Sequence, residues 1–444
     1  MFIDIMTIYK KRFILKKTIF LSALLLLFCE VVFCQQDVRQ LTIDDAVILA
    51  ADNNLSLKEK QLDLDQLELL SNYAWSSASP TLSGNASFAN GLKENANTLS
   101  FSGTVGMGFD LTLYTSIKSA KLNYENGITS YEKNVKDVEK KVRQIFYNLI
   151  YSKENLSLLN RNLETAKQRY DLSREKFNRG QLSELDLLTT QMNYESLKPS
   201  YESAEIAHEN SIATFKQLLG INQNEQIELI GNLDEMMNVS INQDLLEYNL
   251  EELPTVKEIK SKIELEKNKL LSKKISMWSP KIGFEYTVAK KGLDASGSFA
   301  WNDLEKKGAV SVGVTITPTD FLPWSNKALD ISAQENNLEK LILQLENEKT
   351  TVELTIKKYI KEINQAKSQL SSLQSNVVLA QKTYDMTLNA YNYGSRDLLT
   401  LQSAADSLLK SKNQLQSQVY NLICKIMDLE FTLGLPLGAL TAAE

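Results

Sequence analysis

The stretch Leu99-Ser100-Phe101-Ser102-Gly103-Thr104-Val105-Gly106-Met107-Gly108-Phe109-Asp110-Leu111-Thr112-Leu113 alternates without a break: odd positions are apolar or glycine, even positions polar or glycine. Successive side chains of a strand point to opposite faces, so this run predicts a strand with one apolar and one polar face. A shorter run precedes it, with Leu82, Gly84, Ala86 and Phe88 alternating against Ser83, Asn85 and Ser87, and the polar stretch Asn90 to Asn97 joins the two into a hairpin.

The same hairpin is written a second time. Ile282, Phe284, Tyr286 and Val288 form one apolar face, Val310, Val312, Val314 and Ile316 the next, and the loop from about Lys290 to Lys307 connects them. Flanking landmarks recur in the same order. Trp75…Ser79-Pro80 is answered by Trp278-Ser279-Pro280, Tyr114-Thr115-Ser116 by Pro323-Trp324-Ser325, and Phe177-Asn178-Arg179-Gly180 by Tyr391-Asn392-Tyr393-Gly394. Gly180 and Gly220 stand 40 residues apart, as do Gly394 and Gly434, so the chain is a tandem duplication.

After each hairpin the period changes from two to seven. Val142, Leu149, Leu156, Leu163, Tyr170 and Phe177 recur every seventh residue, with Ile145, Leu159 and Ala166 between them; Leu187, Tyr194, Tyr201, His208 and Phe215 follow, and Ile363, Leu370, Val377, Tyr384 and Tyr391 do the same in the second half. A sustained 3.5-residue repeat predicts supercoiled helix pairs. The long helices are expected over 116–178 and 326–392, about 95–100 Å each at 1.5 Å per residue. Shorter helices return over 183–219 and 397–432, and helices over 43–74 and 254–277 fill the remaining length.

The expected order is a signal peptide (1–34), an N-terminal helix (35–78), hairpin 1 (79–114), long helices of repeat 1 (115–219), a connector belt (220–253), a helix (254–278), hairpin 2 (279–318), long helices of repeat 2 (319–433) and a tail (434–444). The signal is read from Lys10, Lys11, Arg12, Lys16 and Lys17 before the apolar run Ile19 to Phe28. Cleavage after Cys34 and retention of Cys34 as a lipidated residue are both open readings. Removing 1–34 leaves 44 basic and 53 acidic side chains, a net charge of −9, which gives nucleic acid no footprint. Cys424 is then the only cysteine if Cys34 leaves, and its plain reading is a small core residue. No later run is long and apolar enough for a membrane helix.

Four strands with one apolar face cannot close on themselves, and open strand edges in lipid leave backbone groups unsatisfied at several kcal/mol each. Several chains must therefore pool strands into a barrel that is apolar outside and wet inside. The competing soluble sandwich leaves two helices of about 100 Å without a purpose.

The duplicated order of helix, hairpin and long helices resembles the TolC family of outer-membrane efflux and secretion proteins, as does the opening Leu41-Thr42-Ile43-Asp44-Asp45-Ala46-Val47…Asn53-Asn54. The resemblance spans essentially the whole mature chain. It implies a mainly α fold with a small β part, assembled as a homotrimer with a twelve-stranded transmembrane barrel continued by an α-helical coiled-coil tunnel. It further implies a passive exit duct across the periplasm and outer membrane, contacting outer-membrane lipid, a periplasmic adaptor protein and an inner-membrane pump of RND or ABC type. The adaptor-contact tips implied are Gly180, Gln181, Leu182 and Ser183 on one turn and Gly394 and Ser395 on the other. The implied periplasmic gate is Asp186, Tyr391 and Arg396, with Thr400 and Ser403 where the family's name-giving member has two aspartates; Asp397 and Asp406 lie nearby.

No catalytic residue, metal site or cofactor is expected. His208 is the sole histidine, and the sequence has neither a glycine-rich phosphate loop nor a nucleophile motif. Two rivals are carried forward. A non-conducting structural or adhesive trimer has no use for a second hairpin, and a soluble periplasmic adaptor lacks two membrane-ready strand pairs.

Overall fold

The computed structural model describes residues 38–90, 97–233, 247–291 and 307–441. The expected signal segment, Cys34 and the tips of both strand hairpins lie outside the described residues. In chain order the elements are β1 (Arg39–Leu41), α1 (Ile43–Asn53), α2 (Leu55–Asn72), β2 (Thr81–Asn90), β3 (Asn97–Phe109), α3 (Thr112–Asn178), α4 (Glu184–Leu219), β4 (Ile227–Leu229), α5 (Pro254–Trp278), β5 (Lys281–Lys291), β6 (Lys307–Thr315), α6 (Asn326–Asn392) and α7 (Leu398–Leu433).

Both long helices, α3 and α6, have 67 residues, and both returning helices, α4 and α7, have 36. The duplication thus extends to the length of each rod. Each return therefore ends near the midpoint of its long partner, and there the core gathers. Val142, Phe146 and Leu149 of α3 meet Phe215 and Leu219 of α4, Val352, Ile356 and Ile363 of α6, and Leu422, Ile426 and Leu429 of α7. Beyond that height α2 and α5 take over as companions of α3 and α6.

The seam residues divide by height. Val142, Leu149, Ile363 and Leu370 are buried. Lower down the contacts become aromatic and polar: Tyr170 stacks on Tyr194 at 6.1 Å between α3 and α4, and Arg169 donates to the Tyr384 hydroxyl at 3.2 Å. Tyr151 stacks on Tyr420 at 5.9 Å and joins the two repeats through α3 and α7.

The helix expected over 43–74 is two helices. Asn54 has extended backbone angles; its amide donates to the Ala50 carbonyl, its Oδ1 accepts the Leu57 amide at 3.0 Å, and its Nδ2 donates to the Leu218 carbonyl at 2.7 Å. One side chain therefore ends α1, starts α2 and fastens the break to the end of α4. The strand expected to run to Leu113 stops at Phe109. Asp110 accepts the Thr112 amide at 2.8 Å, which starts α3 about one turn early and places Leu111 and Leu113 outside the sheet.

The connector expected as a belt contributes β4, which pairs in parallel with β1. The chain beyond α7 is anchored by Glu430, fully buried, whose carboxylate accepts the Gly438 and Leu440 amides at 2.8 Å each. Burial pushes this carboxyl above its ordinary value, while the two amides favour its ionised form.

The two strand hairpins join in one antiparallel sheet, ordered β2-β3-β5-β6. Its apolar face is uncovered: Leu82 is 82% exposed and Val310 77%, with Phe284, Tyr286, Val312 and Val314 also exposed. The opposite face is built from Ser83, Asn85, Ser102, Thr104, Thr287 and Ser311. No described helix is long and apolar enough to cross a membrane.

Candidate functional site

The expected tips are two helix turns that solve the same local problem with different residues. At the end of α3, Gly180 has φ +71° and donates to the Phe177 carbonyl at 2.8 Å, and the Gln181 amide reaches the Lys176 carbonyl at 2.9 Å. At the end of α6, Gly394 has φ +74°; its amide donates to Tyr391 and that of Ser395 to Ala390, both at 2.9 Å. The paired bonds tie up carbonyls a helix end leaves free, and glycine enters the left-handed region without the Cβ penalty.

Each return helix then starts on a Ser/Thr and Asp pair in opposite order. Ser183 caps α4 by accepting the Asp186 amide at 3.1 Å, and its hydroxyl donates to Asp186 Oδ2 at 2.7 Å. Asp397 caps α7 by accepting the Thr400 amide at 2.9 Å, and the Thr400 hydroxyl donates to the same oxygen. These hydrogen bonds hold the Asp397 carboxyl below its ordinary value, with Arg396 adding a smaller pull in the same direction.

The other expected site residues fall as follows. Gln181 is exposed and Leu182 half-buried on the first turn; Tyr391 is half-buried, while Arg396, Ser403 and Asp406 are exposed. Among the described residues no salt bridge joins Asp186 to Arg396 within the chain. Asp406 lines a cleft between α6 and α7 with Gln369, Lys410 and Asn413.

His208, read as a packed seam residue, is half-buried against Ser152, with 2.7 Å between its Nδ1 and the Ser152 hydroxyl. Burial lowers its pKa, aided by Lys153. Burial likewise raises that of Cys424, a half-buried thiol on α7, so it is a poor nucleophile. Among the described residues no group of His, Cys, Asp and Glu is placed to hold a metal ion.

The chain thus sets a four-stranded sheet with an exposed apolar face against two 67-residue helices, each about 100 Å long at 1.5 Å per residue. The sequence profile of the outer membrane efflux protein family matches residues 47–221 and 275–434, one stretch in each repeat, and the chain belongs to that family. No curated relative matches the sequence. Solved structures share the fold at low identity. The CmeC outer membrane channel of Campylobacter jejuni is similar over 90% of this chain and 87% of its own, with TM-score 0.71 and 17% identity. The outer membrane protein VceC of Vibrio cholerae covers 89% of this chain and 96% of its own (TM-score 0.67, 11% identity). The open state of the MtrE outer membrane channel of Neisseria gonorrhoeae covers 90% and 91% (TM-score 0.65, 16% identity). The protein is thus an outer membrane efflux protein. The family is one of channel proteins, which leaves the rival structural stalk without support.

Proposed function

We propose that three copies of the chain pool their four-stranded sheets into a twelve-stranded barrel, and that their long helices continue it as a tunnel closed at the helix turns. The observation that carries this reading is the sheet itself. Among the described residues nothing pairs with the outer sides of its edge strands β2 and β6, and nothing covers its apolar face. Neighbouring copies supply the missing edge pairing, and lipid covers the face. In this arrangement Gly180, Gln181, Leu182, Ser183, Gly394 and Ser395 meet a periplasmic adaptor, and an inner-membrane pump of RND or ABC type delivers the cargo.

Asp186, Tyr391 and Arg396 latch neighbouring turns, with Thr400 and Ser403 near the narrowest point. Exposed charged links of this kind contribute about 0.2–1 kcal/mol each, weak enough for a docking partner to displace them.

Single-channel conductance of the purified protein in planar bilayers, for wild type and Arg396→Ala, tests both parts. Small wild-type currents that grow in the variant support pore and latch together. Large currents in both keep the pore and discard the latch. No current from folded protein in either sinks the conduit.

A further inference from the structure

Below the core the helices stand in a row, α4 against α3, α3 against α7 and α7 against α6, which leaves α4 and α6 at its two edges. Each edge helix spends one heptad face inside the chain. On α4 this face holds Tyr194, stacked on Tyr170, and His208, against Ser152. On α6 it holds Ile363 and Leu370, both buried, and Tyr384, which accepts from Arg169. The edges continue upward into the sheet. The Asn54 bond to the Leu218 carbonyl joins the end of α4 to α2, which leads into edge strand β2, and α6 follows edge strand β6.

Both edge helices carry a second apolar stripe, uncovered among the described residues. It is Leu185, Met192, Pro199 and Ile206 on α4, and Leu379, Met386 and Tyr393 on α6 and at its end, each recurring every seventh residue. Apart from Pro199 these side chains belong to residues 58–90% exposed, and exposed Leu188 and Val378 broaden the stripes. Two residues along an α-helix are about 200° around it. Each stripe stands two residues from the inner seam of its helix, so both point away from the chain. The two helices also differ in charge. Over 184–219 α4 has six acidic and two basic side chains, a net −4, while the 36 residues of α6 nearest its turn, 357–392, have five basic and two acidic, a net +3.

We propose that α4 of one copy and α6 of the next lie antiparallel along these two stripes and form the seam between copies, a role that rests on the trimeric conduit proposed above and gives it a particular joint. A contiguous exposed apolar stripe marks an interaction surface, and a seven-residue period fits it to another helix. The occupant is a second copy because the two stripes start beside their turns, have the same period and sit on helices of opposite net charge. Opposite charge sets which helices pair, since two copies of α4 or two of α6 would repel. The seam runs on into the sheet, where β2 and β6 of neighbouring copies are the strands left to pair.

The test is oxidative cross-linking of the purified full chain in detergent, in a Cys424→Ser background, with the mass of the assembly measured on the same sample. Three double variants pair one residue of each stripe: Leu185→Cys with Met386→Cys, Met192→Cys with Met386→Cys, and Met192→Cys with Leu379→Cys. At least one should give covalent trimers, and the matching single variants should not. Met192→Glu alters a side chain that the single chain leaves exposed, so it should keep the helix content of wild type while raising the dissociated fraction at least tenfold. Trimers of confirmed mass that none of the three pairs cross-links overturn the seam, as do trimers that Met192→Glu leaves intact; either result frees the stripes for a different partner. Chains that are monomeric in every form overturn the trimeric conduit itself, and the seam with it.

Discussion

Asp397 accepts the amide of Thr400 at 2.9 Å and also its hydroxyl, the mirror of the first repeat, where Ser183 accepts the amide of Asp186 and returns its own hydroxyl to the carboxylate. The duplicated turn has kept the function of the pair while exchanging which member is acidic. An acid and a hydroxyl three residues apart cap a helix in either order, because each can accept the free amide of the first turn. Removal of the cap in Asp397→Ala should cost about 1 kcal/mol, measured by denaturant unfolding of the detergent-solubilised protein. Thr400→Val keeps the backbone bond and should lose less. If Thr400 acts only as a cap partner, that variant conducts like wild type; altered conductance would give it a direct part in the gate.

The turn glycines should differ in what they tolerate. Gly394 has φ +74° with open space where a Cβ would stand, so Gly394→Ala should cost only the left-handed penalty, about 1–2 kcal/mol. Gly434 has the same φ, but its Cβ would lie 2.8 Å from Cγ of Pro254 at the start of α5. Gly434→Ala should therefore lower the unfolding temperature more than Gly394→Ala. Equal losses would mean that α5 yields freely at its start.

Strong acid should release the contacts that tie the connector to α5 and α6. Hydrogen bonds from Lys260 and Lys349 take the Glu251 carboxyl from its ordinary 4.5 down to about 2. A carboxyl depressed in the folded state stabilises it above its unfolded value, and that contribution is lost as pH falls through the folded one. The difference in unfolding temperature between wild type and Glu251→Gln should hold above about pH 5 and close between about pH 4.5 and 2. A difference independent of pH across that range would show that the lysine contacts do not depend on the charge of Glu251.

Asn54→Ala should be among the more damaging polar substitutions in the repeat 1 half. It removes the Leu57 cap and the donor to the Leu218 carbonyl, at about 1–2 kcal/mol for the cap. Hydrogen exchange should rise at the amides of Leu57 and Lys58, at the start of α2. Unchanged protection there would mean that packing alone fixes the break between α1 and α2.

Much of this architecture was legible because it is periodic. The alternation from Leu99 to Phe109 has a period of two and the seam from Val142 to Phe177 a period of seven, and neither signal depends on a distant residue. What escaped is local chemistry that overrides a period. The odd-position alternation continues through Leu111 and Leu113, but Asp110 captures the Thr112 amide and ends the strand. The pair Asn53-Asn54 was visible, but not that one asparagine would serve as stop, start and clamp, since its third partner, the Leu218 carbonyl, lies 164 residues away. The gate remains a proposal because Asp186 and Arg396 lie on different turns and are not paired within one chain.

By itself the sequence determined the duplication, the period of each element, the two glycine turns and the amphipathic sheet, because these follow from the spacing of apolar residues and from glycine's access to positive φ. Only the tertiary structure decided that both hairpins share one sheet through β3 and β5, that the core collects where the 36-residue returns end, and that Gly108, Gly283 and Gly313 fall in one row across three strands. Those three outcomes depend on which distant segments meet, and spacing along a chain does not carry that information.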